Sequence, residues 1–218
     1  MKISNSVEVC NLALLKINQS SISSLTDDSL QAKACKMTYE QSKACLLAQY
    51  NWTFAINRAV LVVAQDNSRL PNETDADYNA RRDPTLFEYM RKCSLPEKFL
   101  RLIAVYNSFN DVVHVSSSMI KPPYVLEGGG LLADQAECKI KYIKDTDIVS
   151  EFSAQFIDCF VLDLAIRLTK FFNDSTSYLQ QLQADYMLQI EKAKVSDCQQ
   201  TMLYSQRSYP LLAESWSF

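Results

Sequence analysis

The sequence predicts an α+β protein, mainly a helical bundle of about four helices with a small β-rich domain inserted in the middle. Two observations support this class. Apolar residues recur at helical spacing near both ends of the chain, and β-branched or alternating stretches lie between them. We expect the first half of the bundle at residues 1–56, the β-rich insert at 57–147, the second half at 148–203 and an extended apolar tail at 204–218.

The first helix is predicted over residues 4–18, where no glycine or proline interrupts the pattern. A second helix follows from about Ser29 to Tyr50, and a side-chain oxygen of Thr26, Asp27 or Asp28 can cap its first turn. We expect this second helix to have one apolar and one charged face. The apolar face is assigned to Leu30, Ala34, Met37, Ala44, Cys45 and Ala48, and the charged face to Lys33, Lys36, Glu40 and Lys43.

The middle of the chain predicts short strands joined by polar loops. Residues 59–65 are β-branched, and residues 84–92 alternate in part between aromatic and polar types. The stretch between them, "DNSRLPNETDADYNARRDP", consists of loop-forming residues. Pro96 favours a short helix that gives way to a strand through Leu102 and Tyr106. "NDVVHVSSS", residues 110–118, predicts one more short strand.

All three glycines of the chain are adjacent, from Gly128 to Gly130. A phosphate-binding glycine loop requires a strand before it and a helix directly after it. Here the residues that follow have the strand period, with Cys138, Ile140 and Tyr142 on one side and two lysines on the other. The glycines are therefore interpreted as turn residues that supply positive φ between two strands of a hairpin.

The helical pattern returns after Ser150. The first helix of this second half is apolar around most of its circumference, so it is predicted to be the central and most buried helix, through Phe152, Phe156, Cys159, Phe160, Leu164 and Leu168. The residues "NDST" end it and cap the next helix. That last helix carries an apolar stripe at Leu179, Leu182, Tyr186, Ile190 and Ala193.

Composition narrows the class of protein. A chain of 218 residues with 48% hydrophobic residues can bury about 70% of its unfolded surface without a disulfide or metal. A net charge of -3 argues against a protein that coats nucleic acid, although nucleic acid could still pass alongside it. Seven scattered cysteines and one histidine argue for buried thiols in a reducing cytosol and against a zinc site. No secretory signal or membrane-spanning run is apparent, which predicts a soluble protein, cytosolic when made.

Few residues suggest catalysis. His114 is the sole histidine that could activate a serine or cysteine, and its simpler interpretation is a residue on a partly exposed strand. Paired carboxylates could serve a glycosidase. The acidic pairs here are Asp27 with Asp28 and Asp75 with Asp77, and both lie where caps and soluble loops explain them.

Two further stretches carry distinctive side chains. Arg81, Arg82, Arg91 and Lys92 could contact phosphates, but a solvated basic loop is the simpler interpretation. Trp52 directly follows a long helix, and a tryptophan at such a junction usually pins the helix end against a core. We therefore assign Trp52 a structural role.

Three stretches, residues 27–61, 94–107 and 124–168, together carry an ordered set of motifs. The motifs are W-x-F-A-x-x-R (Trp52, Phe54, Ala55, Arg58), L-P-x-x-x-x-R (Leu95, Pro96, Arg101), and a glutamate-glycine turn (Glu127, Gly128) followed by a strand ending in tyrosine and a long apolar helix. In this order and spacing the chain resembles the tail tubular protein A family of short-tailed bacteriophages, the head-to-tail adaptors, with the related tail accessory factors. The resemblance extends from about Val7 to Asp197. The family often has glycine in the first helix-to-helix turn, where this chain reads "KINQSSISS", which indicates a distant member.

The resemblance implies a structural role with no catalytic residues, metal or cofactor. Such adaptors form a ring, typically a dodecamer, between the portal protein and the tail nozzle, a tubular protein B-like component. Double-stranded DNA passes through the bore of the ring without sequence-specific binding. The implied location is the head-tail interface of the virion, after a period in the host cytoplasm.

The apolar tail is the predicted partner-binding segment, since aromatic anchors are enriched at interfaces. Its anchors are Tyr209, Leu211, Leu212, Trp216 and Phe218. Two alternatives remain open from the residues alone. One is a virion-associated cell-wall or polysaccharide hydrolase, which would need two carboxylates facing a cleft. The other is a cytosolic helical binding module.

Overall fold

The computed structural model describes residues 3–115, 121–172 and 176–206. The chain forms two units. One comprises Met1–Ala55 with Asp145–Phe218, and the other comprises Ile56–Lys144. Among the described residues the first unit is helical and the second contains all the strands, so the predicted α+β class is confirmed.

Helices and strands are largely segregated along the chain, as the α+β class requires. The helices are α1 Ser6–Lys16, α2 Leu30–Gln49, α3 Asp75–Arg81, α4 Ala154–Phe172 and α5 Thr176–Gln206. The strands are β1 Ile56–Val60, β2 Val62–Asp66, β3 Arg91–Ser94, β4 Phe99–Tyr106, β5 Tyr124–Glu127, β6 Gly130–Ala133 and β7 Lys139–Lys144. None of these helices has the length and hydrophobicity needed to span a bilayer.

Helix α4 is the centre of the helical unit, as its apolar circumference predicts. Helices α1, α2 and α5 all pack against it. The six predicted core residues from Phe152 to Leu168 are all buried. The predicted stripe of α5 also faces inward, with Leu182, Ile190 and Ala193 buried. The residues predicted to link the two helices, "NDST", lie largely outside the described part of the chain.

The N-cap of helix α2 is Ser29, one residue after the last of the predicted caps. The Ser29 hydroxyl accepts a hydrogen bond from the backbone N–H of Ala32 at 3.2 Å. The predicted caps at Thr26, Asp27 and Asp28 are therefore wrong. The Asp27 carboxylate instead accepts hydrogen bonds from the backbone N–H groups of two serines in the preceding loop.

The buried face of α2 also differs from the prediction. Leu30 and Met37, assigned to the apolar face, are 61% and 71% exposed, and Cys45 is exposed as well. Lys43, assigned to the charged face, is buried. The side of α2 that packs inward consists of Ala32, Ala34, Cys35, Thr38, Tyr39, Ser42, Lys43, Leu46 and Leu47. Small and polar residues on this side made it look less apolar than the exposed side.

The β unit consists of two antiparallel sheets, with strand orders β1-β7-β4 and β2-β3-β6-β5. Residues of both sheets form one hydrophobic core, with Ile140 and Tyr142 from the first and Cys93 and Leu131 from the second. The alternation predicted for residues 138–142 is thus confirmed.

The glycine turn joins β5 to β6, and the hairpin prediction is confirmed. Gly128 has φ of 56° and Gly129 has φ of 72°, and positive φ at both central positions is the type I′ arrangement that suits a two-residue hairpin. Gly130 does not have positive φ. A Cβ atom there would lie 3.0 Å from the carbonyl oxygen of Cys93, so close approach of β3 explains this third glycine.

Four local predictions in the β unit are wrong. The polar loop contains a short helix, α3, capped by the Thr74 hydroxyl. The strand expected over 84–92 begins only at Arg91. Pro96 begins no helix, because a turn at Glu97 and Lys98 leads directly into β4. In residues 110–115 the only ladder pairing described is one bridge, from Val112 to Tyr106. The start of β3 coincides with its pairing to β2 and β6, whereas α3 begins at its Thr74 cap.

Candidate functional site

The W-x-F-A segment between α2 and β1 is held from two helices. Trp52 is fully buried, and its indole Nε1 donates a hydrogen bond of 2.9 Å to the carbonyl oxygen of Leu46. Its ring meets that of Phe156 edge-on with centroids 5.1 Å apart, and the Phe54 ring lies 4.9 Å from the same Phe156. The predicted structural role of Trp52 is confirmed, because the ring contacts and the hydrogen bond together fix the end of α2.

A buried carboxylate of α5 completes this junction. Asp197 is 4% exposed and accepts hydrogen bonds from Thr53, at 2.8 Å from the hydroxyl and 3.2 Å from the backbone N–H. The first segment of the helical unit ends at Ala55, so the chain enters the β unit directly after the hydrogen bonds between Thr53 and Asp197. The first motif of the resemblance therefore fixes the point at which the chain leaves the helices.

A buried lysine forms the most heavily charged cluster of the helical unit. The Lys43 ammonium is 1% exposed and lies 2.5 Å from Asp147, 2.7 Å from Glu40 and 3.1 Å from Asp145. Burial lowers the pKa of Lys43, but hydrogen bonds to Asp147, Glu40 and Asp145 outweigh it and raise the pKa overall. The group therefore stays protonated at neutral pH.

The three carboxylates around Lys43 have the spacing of metal ligands. Their oxygens lie within 4.8 Å of one another. The ammonium of Lys43 lies among them and supplies the positive charge that a cation would otherwise bring. The cluster joins α2 to the segment before α4, so it contributes to the fold. One feature of the sequence was consistent with burial of Lys43. It lies four residues after Tyr39 and three before Leu46, and residues at these spacings share one side of a helix.

The other carboxylates noted in the sequence have structural partners. Asp77 accepts a hydrogen bond of 2.6 Å from the Thr74 hydroxyl, and Asp75 pairs with Arg69. Asp28 pairs with Lys33 at 2.5 Å. The hydrolase alternative gains no candidate acid-base pair from these residues.

The structure brings no serine or cysteine to His114, the sole candidate base, within the described residues. His114 is exposed, and no hydrogen bond from it to a serine, cysteine or carboxylate occurs within the described residues. Burial raises the pKa of Cys138 and of Cys159 to about 12, so both thiols stay protonated. Five cysteines are buried as expected, while Cys45 and Cys198 are exposed.

The basic residues of the loop are used inside the β unit. Arg81 donates to the carbonyl oxygens of Asp66 and Ser68 at 2.6 and 2.8 Å and pairs with Glu73 at 2.9 Å. Arg91 donates to the Asp66 carboxylate at 3.0 Å. A freely solvated loop is therefore the wrong description for these two, and they fasten α3 and β3 to their surroundings.

Apolar side chains are exposed on the outside of the helical unit. Leu12 and Leu15 of α1 lie between two open concavities of about 520 and 560 Å³. Leu15 is 70% exposed, and Met187 and Leu188 of α5 are also exposed. Exposed apolar side chains such as Leu12 and Leu15, which line neighbouring concavities, are typical of surfaces that contact other proteins. The predicted anchors in the tail, Tyr209, Leu211, Leu212, Trp216 and Phe218, lie outside the described residues.

Comparison with known proteins adds no assignment. A scan against protein-family models and a search among curated proteins both found no match to this chain.

Proposed function

We propose that this chain is a structural head-to-tail adaptor of a tailed bacteriophage. Copies of it would form a ring, typically of twelve, that joins the portal to the tail nozzle and surrounds the channel for double-stranded DNA. Its place would be the head-tail interface of the virion, and it would reach that place from the host cytoplasm. Its work would depend on shape and binding surfaces, with no reaction.

The observation that carries the proposal is the ordered motif set together with where its residues lie. Trp52 and Phe54 end the first segment of the helical unit, Pro96 precedes β4, and Glu127 and Gly128 form the β5–β6 turn. All of them shape the backbone at a junction or a turn. These motif residues serve the architecture of the chain, which supports a structural role.

The exposed apolar side chains of α1 and α5 support the same proposal. A subunit of a closed ring needs two different surfaces for its neighbours, in addition to those for the portal and nozzle. Leu12 and Leu15 on α1, and Met187 and Leu188 on α5, are exposed apolar side chains that such surfaces could use. No specific observation favours the hydrolase or a simple helical binding module.

The test is assembly on the portal. Purified protein is mixed with the portal protein encoded beside it, and the mixture is examined by electron microscopy and analytical ultracentrifugation. We expect a ring of about twelve copies on the portal. The protein alone is not a control, because such adaptors can be monomers until the portal templates the ring. A portal that stays bare at micromolar protein, or finished particles holding one copy, would overturn the proposal.

A further inference from the structure

One face of the β1-β7-β4 sheet carries four basic residues. Residues directly opposite each other in an antiparallel pair share a face, and Arg58 is opposite Lys141 in the register of β1 and β7. The same register places Lys139 opposite Val60, and the pairing of β4 with β7 places Arg101 opposite Ile143. We call this surface the basic face, comprising Arg58, Arg101, Lys139 and Lys141.

The pair at the centre of the basic face is electrostatically unfavourable. Arg58 and Lys141 carry like charges on adjacent strands, an arrangement that destabilises a sheet. Within the described residues neither side chain has a hydrogen-bond or ion-pair partner. The protein therefore keeps two uncompensated cations side by side where a neutral residue would give a more stable sheet. A bound anion would remove this repulsion.

A recess lies at one end of the basic face. Its volume is about 340 Å³, and Arg58, Lys139, Tyr106 and Asn110 are among the residues that line it. The recess thus places two cations beside the flat apolar ring of a tyrosine. Among the described residues the Arg58 guanidinium has no side-chain partner, so it is the group in this recess that a phosphate can bind.

The wall of this recess is fixed by the turn after β4. The Asn107 side-chain oxygen accepts hydrogen bonds of 2.9 Å from the backbone N–H groups of Phe109 and Asp111. The Lys139 ammonium donates to the Asn110 side-chain oxygen at 3.0 Å and lies 3.4 Å from the carboxylate of Glu137. Lys139 is therefore held in place, while Arg58 and Lys141 remain available.

We propose that the basic face binds the phosphate backbone of double-stranded DNA, weakly and without sequence preference. The basic face itself is independent of the proposed function, but the choice of duplex DNA among polyanions rests on it. A few cations on a flat sheet can neutralise only a few phosphates, which gives low affinity and strong salt dependence. Weak binding of this kind guides a moving duplex without holding it, and the acidic remainder of the chain prevents stronger binding.

The test measures binding of the full chain to a fluorescent duplex of about 20 bp by anisotropy, between about 50 and 200 mM salt. The variant is Arg58→Gln with Lys141→Gln, and the matched control is Lys36→Gln with Lys192→Gln, which removes the same charge from exposed sites on two helices. We expect the salt slope, log K against log salt, to become shallower by about 0.9 for each phosphate that the variant fails to neutralise, and so by nearly 2 in all. The control should keep the slope of the unmodified chain.

A second readout separates binding from misfolding. Because the like-charge repulsion is relieved, the Arg58→Gln/Lys141→Gln variant should melt no lower than the unmodified chain in the absence of DNA. Equal slopes for variant and control would overturn the inference. The inference would also be overturned if the Arg58→Gln/Lys141→Gln variant lost ring assembly on the portal but bound DNA as the unmodified chain does. In that case the basic face would contact an acidic surface of another protein. Failure of the unmodified chain to assemble on the portal would overturn the proposed function. The salt slopes of DNA binding would still decide whether the basic face binds phosphate.

Discussion

Lys43 illustrates how a single charged residue is accommodated inside the helical unit. Its ammonium contacts three carboxylates, of which Glu40 and Asp147 remain largely accessible to water. The desolvation of one cation is thus offset by anions that keep part of their own hydration. Since the pKa of Lys43 is raised in the folded state, its stabilising contribution is fully present below its ordinary pKa of 10.5. That contribution is lost only as the pH rises through the higher folded-state value.

Replacing Lys43 by alanine should lower the free energy of unfolding by about 3 kcal/mol, because the carboxylates lose their partner and a cavity remains. Urea denaturation monitored by circular dichroism measures this. Lys36→Ala, on the exposed side of the same helix, is the control and should change stability by no more than about 0.5 kcal/mol. Equal effects of the two substitutions would contradict the assignment of Lys43 to the fold.

At the scale of elements, the β5–β6 hairpin depends on two glycines with positive φ. Gly129→Ala should destabilise the protein by about 1 kcal/mol, since no atom crowds that site and only the left-handed backbone opposes a side chain. Gly128→Asn should cost less, because asparagine tolerates this region and meets only the flexible end of Lys92. Thermal melts of both variants give the comparison, and a larger loss for Gly128→Asn would refute the turn assignment.

Helix α3 is seven residues long and cannot be stable by itself, so its anchoring interactions decide whether it forms. The chief anchor is the Glu73–Arg81 pair. Hydrogen bonds from Arg81 and then from the backbone N–H of Leu70 lower the pKa of Glu73 from 4.5 to about 2. A depressed carboxylate pKa means that the pair stabilises the fold above pH 4.5 and is lost as the pH falls to about 2.

We therefore expect the Glu73 carboxyl to titrate in NMR with a midpoint near 2. Glu73→Gln should melt lower than the unmodified chain at pH 7, and the difference should shrink between pH 4.5 and 2. Glu88→Gln, at an exposed position, serves as the control. A Glu73 midpoint near its ordinary value of 4.5 would show that the pair does not hold α3.

The elements differ in how far sequence could predict them. Helix α4 and the glycine hairpin were predicted correctly, since an all-round apolar helix and adjacent glycines have few alternative uses. The inward side of α2 was not, because Ser42 and Lys43 are polar residues whose partners, Asp163 and Asp147, lie more than a hundred positions away. Helix α3 was missed because a cap and an ion pair, with no apolar pattern, stabilise it.

At the scale of the whole molecule, the proposed function depends on surfaces that bind other proteins and not on an active site. The tail anchors Tyr209, Leu211, Leu212, Trp216 and Phe218 follow the last described helix in sequence. A segment rich in aromatic and leucine side chains is suited to docking on a neighbouring subunit or the portal. The exposed apolar residues of α1 and α5 add to the surface available for binding.

Deleting residues 204–218 should weaken binding to the portal at least about tenfold, because anchor residues at interfaces often contribute about 2 kcal/mol or more. Sedimentation of portal with increasing protein measures the affinity. A full-length variant with the five anchors replaced by serine should bind as weakly as the deletion. Unchanged binding in both variants would exclude the tail as the partner-binding segment.

The sequence by itself determined the α+β class, the four long helices, the central position of α4, the glycine hairpin and the structural role of Trp52, since each follows from a pattern local to a few turns or residues. Only the tertiary structure decided that Lys43 is buried among carboxylates, that Arg81 fastens α3, and that Arg58 and Lys141 are neighbours on one sheet face. These three depend on pairing between distant segments. The energy of a charge is set by its partners and by its distance from water, and neither is a local property of the chain.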